Sequence, residues 1–208
     1  MNTKEVINFY SKNSTQFTEK IASLEIYNSS YSDFILLAPR KQSILDLACG
    51  PGNVSSYIQK IIPHIQITCV DLSPEMIEIA KTKIPNAKFY ISDILNITIP
   101  STKYDVIICA FGLPYVERNK INIFVSEINR YSNKGSFVYI SCMEGSTIEQ
   151  ETMSFANNQK VLVQRFTKNE IIEAFLEYNF NLAHYRAQNY TEPDGSITTD
   201  MIFFFEKM

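Results

Sequence analysis

An α/β fold, with a doubly wound and mostly parallel sheet in three layers, is what this chain predicts, on three observations. Residues 44–53 read Ile-Leu-Asp-Leu-Ala-Cys-Gly-Pro-Gly-Asn, an apolar run too short for a helix that breaks into a glycine turn. Strand-like and helix-like patterns then alternate with short connections, which calls for parallel strands with helices on both faces. The last two strand-like segments, 181–190 and 200–206, are separated only by turn chemistry, Thr-Glu-Pro-Asp-Gly-Ser-Ile-Thr-Thr, so the sheet is expected to end in an antiparallel hairpin.

Taken in order, residues 1–37 are rich in Phe, Tyr, Ser and Asn, with Phe17, Ile21 and Leu24 at partial helical spacing. They predict a helical N-terminal cover (1–40) over the core (41–208) of a single domain, 1–208. The first strand, 44–47, leads through Gly50 and Gly52, which allow a sharp turn and close approach of backbone to a ligand. A helix over 53–62 places Val54, Ile58, Ile61 and Ile62 on one face. Strands follow at 66–70 and 87–91, with a helix at 74–84 between them. Ser73 is its cap, Pro74 its first residue, and Glu75 lies at its positive end. A strand at 105–109 precedes a helix at 118–132, whose stripe is Ile121, Phe124, Val125, Ile128 and Tyr131 and whose stop is expected near Asn133-Lys134-Gly135. A strand at 135–142 and a helix at 168–178 complete the alternation.

Composition narrows the function classes. The chain has 208 residues, 45% hydrophobic and 20% charged, enough for one domain with a sizeable core. A net charge of −3 without a basic run argues against a nucleic-acid partner. No apolar run approaches the roughly 18 residues of a membrane span, and the N-terminus lacks a signal-like stretch, so a cytosolic protein is expected. Cys49, Cys69, Cys109 and Cys142 show no metal spacing and read as small buried hydrophobes, so no metal site is expected. His64 and His184 are isolated, and His64 reads as a solvated turn residue.

Ligands of doubly wound sheets bind beyond the carboxyl ends of the strands, and three acids stand there. Asp46 interrupts the first apolar run and, if buried, needs partners; the backbone amides of the glycine turn or a ligand ammonium are the nearest candidates. Asp71, about twenty residues beyond the turn, sits where a carboxylate can accept from both hydroxyls of a ribose. Asp93 follows the third strand and could accept from an exocyclic amine.

These segments together resemble the class I S-adenosylmethionine-dependent methyltransferases. The likeness is carried by ILDLACGPGN (44–53), VDLSPEMIEIA (70–80), FYISDI (89–94), YDVIICAFGLPYV (104–116) and GSFVYISCMEG (135–145). It implies a seven-stranded sheet whose last strand is antiparallel, and S-adenosylmethionine as cofactor. It also implies roles: Asp46, Ala48 and Gly50 along the methionine end, with Gly52 keeping the turn tight, and Asp71 on the ribose. Leu72 and Met76 would pack on the adenine, Asp93 and Ile94 would meet its edge, and Ala110 and Phe111 would floor the sulfonium. The family more often has glycine where Ala48 stands.

For the methyl acceptor, Tyr10 and Phe17 in the cover, Tyr115 after the fourth strand, and Arg165 and Phe166 before a new helix are the candidates. The Asp/Asn-Pro-Pro-Tyr motif of amino-methylating nucleic-acid enzymes is not matched by Phe111-Gly112-Leu113-Pro114-Tyr115, which turns the expectation toward a small-molecule acceptor. Two other readings stay open: a non-catalytic or regulatory binder of the same cofactor, and an NAD-dependent oxidoreductase. Against the latter, Ser55 occupies the third glycine position of Gly-x-Gly-x-x-Gly.

Overall fold

A computed structural model describes residues 3–22, 24–38, 42–191, 195 and 197–208. Its centre is a seven-stranded sheet of order β3-β2-β1-β4-β5-β9-β8. The parallel strands are β1 (Ser43–Leu47), β2 (Gln66–Asp71), β3 (Lys88–Ile91), β4 (Tyr104–Ala110) and β5 (Ser132–Met143). β8 (Phe180–Thr191) and β9 (Ile197–Lys207) form the antiparallel hairpin, with β9 paired against β5. This is the doubly wound sheet with a terminal hairpin that the alternation predicts.

The period-two side-chain pattern of the central strands builds two cores, one on each face. On β5, Val138, Ile140 and Cys142 face one way, and on β9 so do Met201, Phe203 and Phe205. They pack against α6 (Ile121–Tyr131) and α7 (Lys168–Leu176), where Phe175 stacks on Phe205 at 4.1 Å between ring centres. Phe137 and Tyr139 of β5 and Ile202 and Phe204 of β9 face the other way. Their partners come from α3 (Asn28–Leu37), α4 (Asn53–Ile61) and α5 (Pro74–Lys83), with Phe34 stacked on Phe137. All four cysteines are buried and free.

Local signals act where they were read. Ser73 caps α5 by accepting from Met76 N at 3.2 Å, behind Pro74. Thr167 and Glu170 close a capping box on α7. Two boundaries differ from expectation. The helix expected from residue 118 begins as a short 3-10 turn, Arg118–Lys120, before α6. Its stop is not at Asn133–Gly135, because β5 already starts at Ser132; Gly135, at φ 83°, lies where the β4–β5 register shifts. The extra residues of a bulge need that positive φ, so the glycine serves the strand and not the helix end.

Two additions frame the carboxyl edge of the sheet. The cover consists of α1 (Thr3–Lys12) and α2 (Ser14–Ala22), neither of which buries a residue. Stretch 143–167 contains a separate hairpin, β6 (Ile148–Met153) and β7 (Gln159–Gln164), with its own small core of Met153, Ala156, Val161 and Val163. Ile-Glu-Gln-Glu-Thr-Met alternates too weakly for this hairpin to be read from sequence. Among the described residues, no helix is long and apolar enough to cross a membrane.

Candidate cofactor and acceptor site

The carboxyl ends of the strands, α1–α2 and the β6–β7 hairpin enclose a cavity of about 760 Å³. That lies within the usual range of roughly 300–1,000 Å³ for small-ligand sites. The turn after β1 forms one wall. Ala48, Gly50 and Gly52 all have positive φ, at 53°, 53° and 76°. Gly52 is required by packing as well: a Cβ there would stand 2.8 Å from Ile84 Cδ1 and 3.1 Å from Ala80 Cβ. Ala48 adopts a left-handed conformation that glycine would take without strain. Space for its methyl comes from Gly112, where an added Cβ would lie 2.7 Å from Ala48 Cβ and 2.7 Å from Cys109 Sγ. The alanine in place of glycine is therefore matched by a glycine across the cavity wall.

Asp71 ties this turn to the next one. Its Oδ2 accepts from Gly50 N at 2.8 Å and its Oδ1 from Ser73 N at 2.9 Å. Burial pushes its carboxyl above the usual carboxylate range, while the amides of Ser73, Gly50 and Leu72 pull it back. Each carboxylate oxygen keeps a second acceptor direction for a ligand hydroxyl. Leu72, Met76, Asp93 and Ile94 continue the wall, and Asp93 Oδ1 accepts from Leu95 N at 2.9 Å. Ala110 and Phe111 close the far side of this half; Phe111 has φ 57° and its amide donates to Ser141.

Asp46 stands differently from the other acids. It is 1% exposed and lies behind the cavity wall, where its Oδ2 accepts from Ser55 Oγ at 2.6 Å. The expected partners, turn amides or a ligand ammonium, are replaced by this hydroxyl on the first turn of α4. Desolvation drives its carboxyl up to about 7, against the lowering effect of the Ser55 bond. Ser55, which departs from the dinucleotide glycine pattern, is thus explained by Asp46.

The acceptor candidates divide. Tyr10, Phe17 and Tyr115 line the cavity and join Phe155 of the β6–β7 connection in an aromatic collar. Tyr10 and Tyr115 hydrogen-bond through their hydroxyls, and burial raises both phenols, so both stay protonated. Phe17 lies over the turn, its Cε1 3.8 Å from where a Gly50 Cβ would be. Arg165 and Phe166 are corrected: neither lines the cavity. Phe166 is wholly buried in the core beside α7, under the Arg118 guanidinium. Arg165 turns to Glu149 at 2.8 Å and Glu151 at 3.2 Å, so its charge is used to hold the hairpin.

Sequence reading missed the hairpin residues Glu151 and Phe155, and also Tyr27 and Asp200, all of which line the cavity. Asp200 reads as a solvated turn acid but is 3% exposed. The available signal was an acid heading the apolar run Met201–Phe205, the same anomaly that marks Asp46. Glu192 and Asp194 lie outside the described residues. His64 is exposed. Among the described residues there is no cluster of three or more His, Cys, Asp or Glu able to hold a metal.

Comparison with known proteins agrees with this arrangement. Residues 44–135 match the family model described as methyltransferase domain. A malonyl-[acyl-carrier protein] O-methyltransferase of Ilyobacter polytropus is 26% identical over 72% of this chain and 56% of its own length. A demethylmenaquinone methyltransferase of Thermotoga maritima is 33% identical over 38% of this chain and 34% of its own length. The chain therefore spans about a third to somewhat over half of these curated relatives. A TehB-like S-adenosylmethionine-dependent methyltransferase from Corynebacterium glutamicum shares the fold, at a TM-score of 0.69 and 19% identity over 96% of this chain and 98% of that one. A methyltransferase structure from Methanosarcina mazei gives a TM-score of 0.70 at 15% identity, covering 84% and 96%. The chain thus carries a segment, 44–135, that matches the methyltransferase-domain model, set in a seven-stranded fold shared with structures of S-adenosylmethionine-dependent methyltransferases.

Proposed function

We propose that this protein transfers a methyl group from S-adenosylmethionine to a small-molecule acceptor. The observation that carries the reading is Asp71: a cavity-lining carboxylate clamped by the amides of Gly50 and Ser73, with acceptor directions left for a vicinal diol. In this reading Asp71 holds the ribose, Leu72 and Met76 pack on the adenine, and Asp93 and Ile94 meet its edge. Ala48 and Gly50 border the methionine end, Gly52 keeps the turn closed, and Ala110 and Phe111 floor the methyl. Asp46 acts behind the wall, fixing Ser55 and the start of α4.

S-adenosylmethionine supplies a methyl already activated as a sulfonium, so the chain's own task is chiefly alignment and exclusion of water. The aromatic collar of Tyr10, Phe17, Tyr115 and Phe155 serves both, closing the cavity beside the turn. Support for a small acceptor comes from the enclosed, aromatic-lined cavity and from the absence of a basic run in the sequence. The names of the two curated relatives, which refer to demethylmenaquinone and to a malonyl group on acyl-carrier protein, suggest acceptors to assay first.

Calorimetry with S-adenosylmethionine, S-adenosylhomocysteine and NAD tests the cofactor reading: binding of both sulfur nucleosides in preference to NAD is expected. Preference for NAD, or no binding of either sulfur nucleoside, overturns it. A screen of metabolite fractions with labelled methyl donor then tests turnover, and persistent absence of transfer favours a non-catalytic binder.

A further inference from the structure

One continuous apolar cluster walls the cavity on the side of the cover and the β6–β7 hairpin. Tyr10 packs edge-on against Phe17 and Tyr115, at 5.0 and 5.4 Å between ring centres, and Phe155 closes the group at 5.2 Å from Phe17. Met143 at the end of β5 and Met153 at the end of β6 join it through the small core of the hairpin, which also takes in Tyr115 and Phe155. All six side chains line the cavity. The cluster meets the cofactor half at two points. Phe17 lies over the glycine turn, as described above. Tyr115 ends the 3-10 turn Leu113–Tyr115, directly after Phe111 and Gly112, and its amide donates to the Gly112 carbonyl at 3.2 Å. The rings thus run from the glycine turn to the end of β4, the two edges between which the methyl stands in the proposed function.

Resting on the methyltransferase reading, we propose that the acceptor is a flat aromatic compound without negative charge, its ring packed against Tyr10, Tyr115, Phe155 and the two methionines. Ring edges and faces favour a further ring in offset or edge-on contact, and thioether sulfurs favour aromatic edges, so a ring gains more here than an aliphatic body of equal size. Charge works against an anion. Glu151 and Asp200 both line the cavity, the first accepting from Arg165 at 3.2 Å and the second from Tyr27. Lys20, which also lines it, turns its ammonium to the Tyr190 hydroxyl at 3.1 Å. An acceptor carboxylate would lose its water against rings and methionines with carboxylates of the chain nearby.

Calorimetry on the full chain saturated with S-adenosylhomocysteine tests this with three probes: 2-naphthol, its saturated counterpart decahydro-2-naphthol, and 2-naphthoate. Binding of 2-naphthol is expected, with the saturated alcohol about three-fold weaker and the carboxylate about ten-fold weaker. Phe155→Ala should then lower 2-naphthol affinity about ten-fold and leave S-adenosylhomocysteine affinity within about two-fold. If Phe155→Ala does not fold, Phe155→Leu serves, since it keeps apolar bulk and removes the ring; 2-naphthol should weaken about three-fold, again without S-adenosylhomocysteine following. No binding of 2-naphthol to the loaded chain, equal or tighter binding of either comparison probe, a 2-naphthol affinity indifferent to Phe155, or an equal loss for 2-naphthol and S-adenosylhomocysteine overturns the proposal and leaves the cofactor reading standing. If S-adenosylhomocysteine does not bind the unaltered protein, the methyltransferase reading itself falls, and this inference falls with it.

Discussion

The two halves of the cavity are built in opposite ways. The half around Gly50, Asp71 and Asp93 comes from consecutive strand ends and their turns, and its groups are mainly backbone amides and carboxylates held by near neighbours. The half around Tyr10, Tyr27, Tyr115, Phe155 and Asp200 is gathered from the first helix, the turn before α3, the short 3-10 turn after β4, the inserted hairpin and the last strand. Its groups are side chains that touch across long stretches of sequence, such as Tyr10 with Tyr115 and Tyr27 with Asp200. In the function proposed above, the half made of local turns takes the cofactor. A half made of remote side chains can change without disturbing the turn chemistry, which is where acceptor choice would reside.

The largest expected effect lies in the first half. Asp71→Ala should weaken S-adenosylhomocysteine binding by about 3 kcal/mol, since it removes the carboxylate proposed to take the ribose and frees the Gly50 and Ser73 amides. Calorimetry checks this, and unchanged affinity would contradict the role of Asp71. Next comes the packing between Ala48 and Gly112. Gly112→Ala should cost about 2 kcal/mol of folding stability through overpacking against Ala48 and Cys109, and Ala48→Gly in the same chain should restore part of it. Denaturant unfolding of the two single variants and the double variant measures that coupling; strict additivity would show that the methyl does not need the glycine.

A third expectation concerns pH. The folded Asp46 carboxyl is raised from 3.8 to about 7 by burial, so the folded state holds its proton more tightly than the unfolded one. The resulting stabilisation is complete below about pH 4 and is lost as pH rises through about 7. Asp46→Asn should flatten this fall, leaving the slope of the same sign that the raised Asp71 contributes. Thermal unfolding between pH 4 and 8 reads it, and an unaltered profile would mean that Asp46 does not titrate there. The smallest effect belongs to the second half: Tyr115→Phe removes one hydroxyl contact between α1 and the core and should cost under about 1 kcal/mol. Proteolytic nicking of α1–α2 should quicken while S-adenosylhomocysteine affinity holds, which would separate closure of the cover from cofactor binding.

Much of the first half was legible in the residues themselves. Gly50 and Gly52 announce a backbone that must turn left-handed, and the structure gives both positive φ. Ser73-Pro74-Glu75 announces a helix start, and Ser73 caps α5. Asp46 announces a buried acid needing a partner, although the sequence pointed to the turn amides and the fold supplies Ser55. Arg165 and Phe166 looked available because they precede a helix, but chain position does not reveal which way a residue faces. Core packing took Phe166, and Glu149 and Glu151 took Arg165.

What the sequence by itself determined is the alternation of strands and helices, the glycine turn, the acids at the strand ends and the terminal hairpin. Each rests on local periodicity or on a backbone conformation that few residues accept. Tertiary structure alone decided that an alanine could stand at 48, because room for its methyl lies at Gly112 across the cavity wall. It alone placed the β6–β7 hairpin beside the cover, and it alone brought Tyr27 to Asp200 from 173 residues away. Contacts of that span leave no periodic trace in a chain, since they depend on where the sheet carries its ends.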